Sequence, residues 1–172
     1  MKECIKLLRV KHYIKNLLIF IPMFFGGVIF NKEKLLCGIL GFIAFCMVSS
    51  AIYVINDLQD IEKDRKHPTK KNRPLASGKI KPQQGIVLMI VCLCIAGIIS
   101  VILKNCSALG LMILYFILNI AYSMGLKNKP IIDIAILASG FVIRIFYGGA
   151  ITDVTISKWL YLVITVGSLY MG

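Results

Sequence analysis

Charge is scarce in this chain. Of 172 residues 16% are charged, against about 25% in an ordinary soluble domain, and only eight are Asp or Glu. With 58% hydrophobic residues and a mean hydropathy of +0.83, that shortage excludes a soluble enzyme, a secreted disulfide module and a disordered chain. Zinc-ligating His and Cys pairs are also missing. His12 and His67 are single and far apart, and Cys92-x-Cys94 lacks the two-residue gap and the partner pair of a structural zinc site. The six cysteines (Cys4, Cys37, Cys46, Cys92, Cys94 and Cys106) lie mostly in apolar segments, where a thiol behaves as a small hydrophobe. Neither a disulfide nor a zinc ion is expected, and no internal repeat or low-complexity segment is visible. What the chain does have is base: 20 Lys and Arg give a net charge of +12. In a membrane protein such an excess reports topology and anionic lipid, so no nucleic-acid partner is expected.

The apolar residues gather in six candidate membrane spans: Leu17–Phe30, Leu35–Ile55, Ile86–Leu103, Ala108–Tyr122, Ile131–Ala150 and Leu160–Gly172. The expected fold is all-α, a polytopic transmembrane bundle. Lys2, Lys6, Arg9, Lys11 and Lys15 before the first span imitate a signal peptide, but no small-x-small cleavage site follows Gly26-Gly27, so a retained helix is expected. Fifteen of the 20 basic residues fall in the N-terminal segment, the 56–85 loop and the 123–130 loop, against four in the alternate loops. The N-terminus and the 56–85 loop are therefore expected on the cytoplasmic side. The last run stops at Gly172 without a polar or basic cap, which suggests a half-inserted helix or a fragment of something longer.

Half of the acids sit in one loop, which begins Asn56-Asp57-Leu-Gln-Asp60-Ile-Glu62-Lys-Asp64-Arg65. If the second helix runs on through it, at 100° per residue Asp57, Asp60 and Asp64 share a face with Asn56 at its margin, while Glu62 points away. Carboxylates at this spacing repel one another without a cation, and carboxylate and amide oxygens are hard ligands that suit Mg²⁺ completed by substrate phosphate. Arg65, Lys70, Lys71 and Arg73 follow as partners for the remaining phosphate oxygens. The plainer alternative, a solvated loop obeying the positive-inside rule, accounts for the bases but not for the acidic series at the end of an apolar helix.

A second polar group comprises Tyr122, Ser123, Lys127 and Lys129, with Asp133 and Arg144 inside the fifth span on nearly one face, about 16 Å apart. Ionisable residues at membrane depth face a bundle interior or a wet cavity. Asp133 and Arg144 are thus either a second polar site or a helix-terminal acid and a structural cation. Near the N-terminus, Arg9, Lys11, Lys15 and Asn16 read either as an interfacial anchor or, for Lys15 and Asn16, as groups turned into a cavity.

The series N-D-x-x-D-x-x-x-D-R at Asn56–Arg65, with His67-Pro68 and Arg73-Pro74-Leu75-Ala76-Ser77-Gly78, resembles the first aspartate-rich motif of the UbiA superfamily of intramembrane prenyltransferases. Arg9-x-x-x-Tyr13-x-Lys15-Asn16, Tyr122-Ser123-x-x-Leu126-Lys127, Asp133, Gly140-Phe141-Val142 and Arg144 are more similar to its decaprenyl-phosphate phosphoribosyltransferase branch. The resemblance covers the whole chain and implies a single domain over 1–172, with a catalytic loop at 56–85. It also implies that about six of roughly nine family helices are present, and that the chain stops before the family's second polar site. The family's Tyr-and-Lys element falls on Tyr122 and Lys127, spaced one residue wider than usual.

On this reading Asn56, Asp57, Asp60 and Asp64 hold Mg²⁺ on a donor diphosphate, with Asp57, Asp60 and Asp64 essential to catalysis. Arg65, Lys71, Arg73 and Lys127 neutralise phosphate oxygens, and Lys15, Asn16, Tyr122 or Arg144 hold a further phosphate. The partners are a polyprenyl lipid, a diphosphate donor and the bilayer. The favoured chemistry is phosphoribosyl transfer to a polyprenyl phosphate. Its alternatives are prenyl transfer to an aromatic acceptor, an inactive remnant, or a small-solute transporter with Asp133 and Arg144 in its pathway.

Overall fold

The long apolar runs become helices. The computed structural model describes residues 2–124 and 130–171. Four helices are long and apolar enough to cross a membrane: α3 (Lys32–Gln59), α5 (Pro82–Leu103), α6 (Cys106–Ser123) and, within α7 (Pro130–Thr152), the stretch Ile134–Thr152. Shorter elements are α1 (Lys2–Leu7), α2 (Ile21–Phe25), α4 (Ile61–Lys66) and α8 (Lys158–Met171), and no strand occurs among the described residues. Local chemistry sets the ends. Asn31 caps α3 by accepting from the amides of Glu33 and Lys34 at 3.0 and 3.2 Å. Pro82 opens α5, where its missing N–H costs nothing. Asn105 caps α6 through Ala108 N at 2.8 Å and also donates to Ala150 O at 2.7 Å, tying α6 to the far end of α7.

α3 and α7 are the central helices, burying 56% and 50% of their apolar windows, whereas α5 and α6 bury 17% each and turn the rest outward. The outward faces carry Ile86, Val87, Ile90, Ile98 and Val101, a surface that water would not tolerate and lipid chains solvate. Inside, Phe45 of α3 packs on Tyr115 of α6 and Tyr147 of α7, with ring centroids 4.6 and 5.2 Å away.

The first span departs from expectation. Instead of an α-helix over Leu17–Phe30, the chain forms a 3₁₀ helix over Val10–Phe20 that passes directly into α2. At about 2.0 Å per 3₁₀ residue and 1.5 Å per α residue, this composite reaches about 30 Å, the thickness of a bilayer core. Its period of three lines up Tyr13, Asn16 and Ile19 on the inner face, and Asn16 and Ile19 are fully buried. Three residues of 3₁₀ helix and four of α-helix both rise about 6 Å, so this face runs in step with α3. Tyr13 Oη meets Ser50 Oγ at 2.7 Å, and Asn16 Nδ2 donates to Cys46 Sγ at 3.2 Å. On the other side the 3₁₀ helix lies so close to α7 that a Cβ on Gly148 would fall 2.0 Å from Ile19 O. The sixth candidate forms α8, 14 residues and about 21 Å long within the described residues.

Candidate functional site

α3 carries Asp57 to one edge of the bundle and stops two residues later. Asp60 leaves helical geometry at φ −97°, ψ 9°, yet Asp60 N still bonds Asn56 O at 3.1 Å and Asp64 N bonds Asp60 O at 2.8 Å. Backbone hydrogen bonds therefore run on across the break into α4, and Asp64, seven residues from Asp57, returns to nearly the same side. Both carboxylates are buried, with side chains 3% and 5% exposed. A buried carboxylate is tolerated only when paired, and here arginines pair both. Arg73 Nη1 lies 3.2 Å from Asp57 Oδ1 and 2.7 Å from Asp64 Oδ2, while Arg9 Nη2 donates to the same Asp57 Oδ1 at 2.6 Å.

Local sequence aims these arginines. The residue before a proline is driven to extended backbone, and Arg73, before Pro74, has φ −64° and ψ 145°. Leu75, 1% exposed, anchors the loop in a small core with Leu7, Val54 and Ile80. Arg9 occupies left-handed backbone at φ 51°, where α1 turns into the 3₁₀ helix, and its guanidinium rests 4.7 Å above the Tyr53 ring. Arg9 is the site residue that sequence reasoning missed. The stretch Arg9-x-x-x-Tyr13-x-Lys15-Asn16, already singled out by its resemblance to the family, was the available signal.

The other expected members are distributed differently. A single face with three carboxylates is not formed. The break at Asp60 leaves its carboxylate 3.6 Å from Lys63 Nζ, and among the described residues no three His, Cys, Asp or Glu side chains converge on a metal position. Asn56 is drawn toward α6, where its Oδ1 accepts from Ser123 Oγ. Arg65 is turned outward to Glu62 at 2.8 Å and braces the loop through Ala76 O at 3.3 Å, while Lys71 is exposed. Tyr122 is half-buried on the last turn of α6. Lys127 lies outside the described residues, and so does the side chain of Asp133.

Arg144 and Asn16 form a separate knot inside the bundle. Arg144, 6% exposed, donates from Nε to Asn16 Oδ1 at 2.8 Å, from Nη1 to Gly140 O at 2.5 Å and from Nη2 to Tyr115 Oη at 2.8 Å. Its plane also lies 5.3 and 4.9 Å from the Phe45 and Tyr115 ring centres. These contacts link α7, α6, α3 and the 3₁₀ helix. Lys15 lies 5.9 Å from the Phe141 ring centre, the same distance as Arg144, at the side of an apolar groove of about 370 Å³ lined by Leu18, Val163, Ile164 and Gly167.

Lipid-facing helices around a buried Arg–carboxylate cluster at one end define an integral, multi-pass membrane protein whose charged chemistry is held at the membrane edge. The chain belongs to the UbiA prenyltransferase family, whose model matches residues 18–171, as its aspartate-rich motif implies. It is 36% identical over 171 residues to a decaprenyl-phosphate phosphoribosyltransferase of Corynebacterium glutamicum, covering 98% of this chain and 52% of the relative. The protein of that name from Mycolicibacterium smegmatis is 34% identical, over 98% of this chain and 54% of its own length. The chain thus spans about half the length of the curated relatives it matches. In fold it resembles a UbiA homologue from Archaeoglobus fulgidus, solved with DMAPP and Mg²⁺, at a TM-score of 0.83 and 20% identity, over 98% of this chain and 61% of that one.

Proposed function

We propose that this chain is the site-bearing part of a Mg²⁺-dependent membrane transferase that moves phosphoribosyl from phosphoribosyl diphosphate to a polyprenyl phosphate. One observation carries this reading: Asp57 and Asp64, brought from two helices, are buried and share a single cationic partner. A pair of hard oxygen donors selected for a cation suits Mg²⁺, which is held by one or two carboxylates and completed by substrate phosphate. The identity with the two named phosphoribosyltransferases supports the choice of donor and acceptor.

Asp57 and Asp64 would hold the metal, which when bound supplies charge neutralisation to the departing diphosphate. Arg73, and Lys127 by its place in the sequence, bind the diphosphate oxygens and keep them oriented as negative charge develops. Arg9 stays on Asp57 and keeps it from turning away. The acceptor lipid approaches along the apolar groove beside Lys15, whose ammonium is suited to its phosphate. The 56–85 loop and the N-terminus face the cytoplasm, where the soluble donor is found.

The test is label transfer in membranes given Mg²⁺, labelled phosphoribosyl diphosphate and polyprenyl phosphate. Label in the lipid phase that is lost with Asp57→Asn supports the proposal. Consumption of a prenyl diphosphate with an aromatic acceptor, and no phosphoribosyl transfer, replaces the substrates. Neither reaction, with the chain folded and inserted, overturns the reading for this chain.

A further inference from the structure

Each acid between Asp57 and Asp64 already has a base beside it. Asp60 and Glu62 take Lys63 and Arg65 from their own turn, whereas the buried pair takes partners from far away in sequence, Arg9 and Arg73. Two carboxylates and two guanidiniums make a cluster of zero net charge, so it holds no excess attraction for an added cation. Arg73 Nη1, within 3.2 Å of both carboxylates, also stands where an ion shared by them would compete.

The two arginines are not held equally. Arg9 is gripped by the Tyr53 ring and by the left-handed turn at its own backbone. Side-chain exposure is similar, 23% for Arg9 and 28% for Arg73, but among the described residues the ion-pair contacts of the Arg73 guanidinium are the two carboxylates alone, with no ring contact like that of Arg9 on Tyr53. Arg73 therefore has a route to water. A diphosphate arriving there offers paired oxygens that match a guanidinium fork.

We propose that Arg73 is a built-in substitute for the metal. It closes the Asp57–Asp64 pair in the ligand-free protein and passes to the diphosphate when a divalent ion enters. This rests on the reading of Asp57 and Asp64 as the metal-holding pair. Metal and diphosphate then bind cooperatively, each weakly alone, and by linkage each strengthens the other by the same factor.

The experiment uses the full chain in lipid nanodiscs and measures retained ⁵⁴Mn²⁺ over empty nanodiscs at buffered free metal, with and without inorganic diphosphate. Wild type is expected to bind Mn²⁺ at least tenfold more tightly when diphosphate is present. Arg73→Gln is expected to bind Mn²⁺ alone at least tenfold more tightly than wild type, with diphosphate adding less than threefold. Asp64→Asn is expected to bind weakly in both conditions. Wild type that binds Mn²⁺ equally with and without diphosphate overturns the substitute role and leaves the metal site standing. So does Arg73→Gln with unchanged or weaker binding of the metal alone. Wild type that retains no Mn²⁺ even with diphosphate overturns both this inference and the metal reading beneath it.

Discussion

Arg9 and Asp57 stand 48 positions apart and meet at 2.6 Å, joining the turn before the first membrane segment to the last turns of the second. Asp57 is almost entirely enclosed, so this contact holds a charge that the surroundings do not otherwise favour. Arg9→Gln is expected to cost about 1–3 kcal/mol of stability, less than a fully orphaned buried charge because Arg73 remains. In a double-mutant cycle with Asp57→Asn, the combined loss should fall short of the sum by about 1–2 kcal/mol. Thermal unfolding in a fixed detergent checks both numbers, and strict additivity would show that the contact is not energetically coupled.

The close approach of α7 to the first segment predicts a sharp contrast between two glycines. Gly148→Ala would drive a methyl into the main chain at Ile19, and should cost about 3 kcal/mol or abolish insertion as a monodisperse protein. Gly97, on α5, has open space to 4 Å around the position its Cβ would take, and Gly97→Ala should be neutral or stabilising by up to about 1 kcal/mol. Fluorescence-detected size exclusion after heating separates the two outcomes.

Arg144→Lys keeps the charge but loses the planar fork that reaches Asn16, Gly140 and Tyr115 together. The expected loss is about 1–3 kcal/mol, with Tyr115→Phe costing about 1 kcal/mol or less because it removes one of these contacts. Melting of the purified variants gives the comparison. A lysine variant as stable as wild type would show that charge alone suffices there.

Among the carboxylates, burial predicts importance. Asp64→Asn should reduce transfer activity by about 100-fold or more, whereas Glu62→Gln, whose side chain is 78% exposed and faces Arg65, should remain within about threefold. Initial rates at saturating Mg²⁺ decide it, and equal losses would mean that the loop reorganises on binding substrate.

The long spans were legible because runs such as Leu35–Ile55 are too apolar and too continuous for any other environment. Convergence of Asp57 with Asp64 was legible too. Seven residues are about two helical turns, and the hydrogen bonds across Asp60 preserve that spacing despite the break. Asp60 stands apart from the buried pair because its own backbone ends α3. The first segment was misread because an apolar run announces a helix without stating its pitch. The partners of Asp57 and Arg144 were hidden for a simpler reason. Arg144 reaches Asn16 across 128 positions, and one sequence carries no record of which distant helices touch.

The matched 6 Å step of the first segment and α3 makes the stretch from Arg9 to Asn16 a spacer whose length matters more than its composition. Replacing Lys11, which is exposed, leaves the facing of the segment intact. Adding or removing a single residue there would turn everything beyond it by a third of a revolution. Tyr13 or Asn16 would then face lipid, and Arg9 would be carried off Asp57. Insertions in this stretch should therefore be far more damaging than substitutions, since even three residues, which restore the facing, shift Arg9 by about 6 Å along α3.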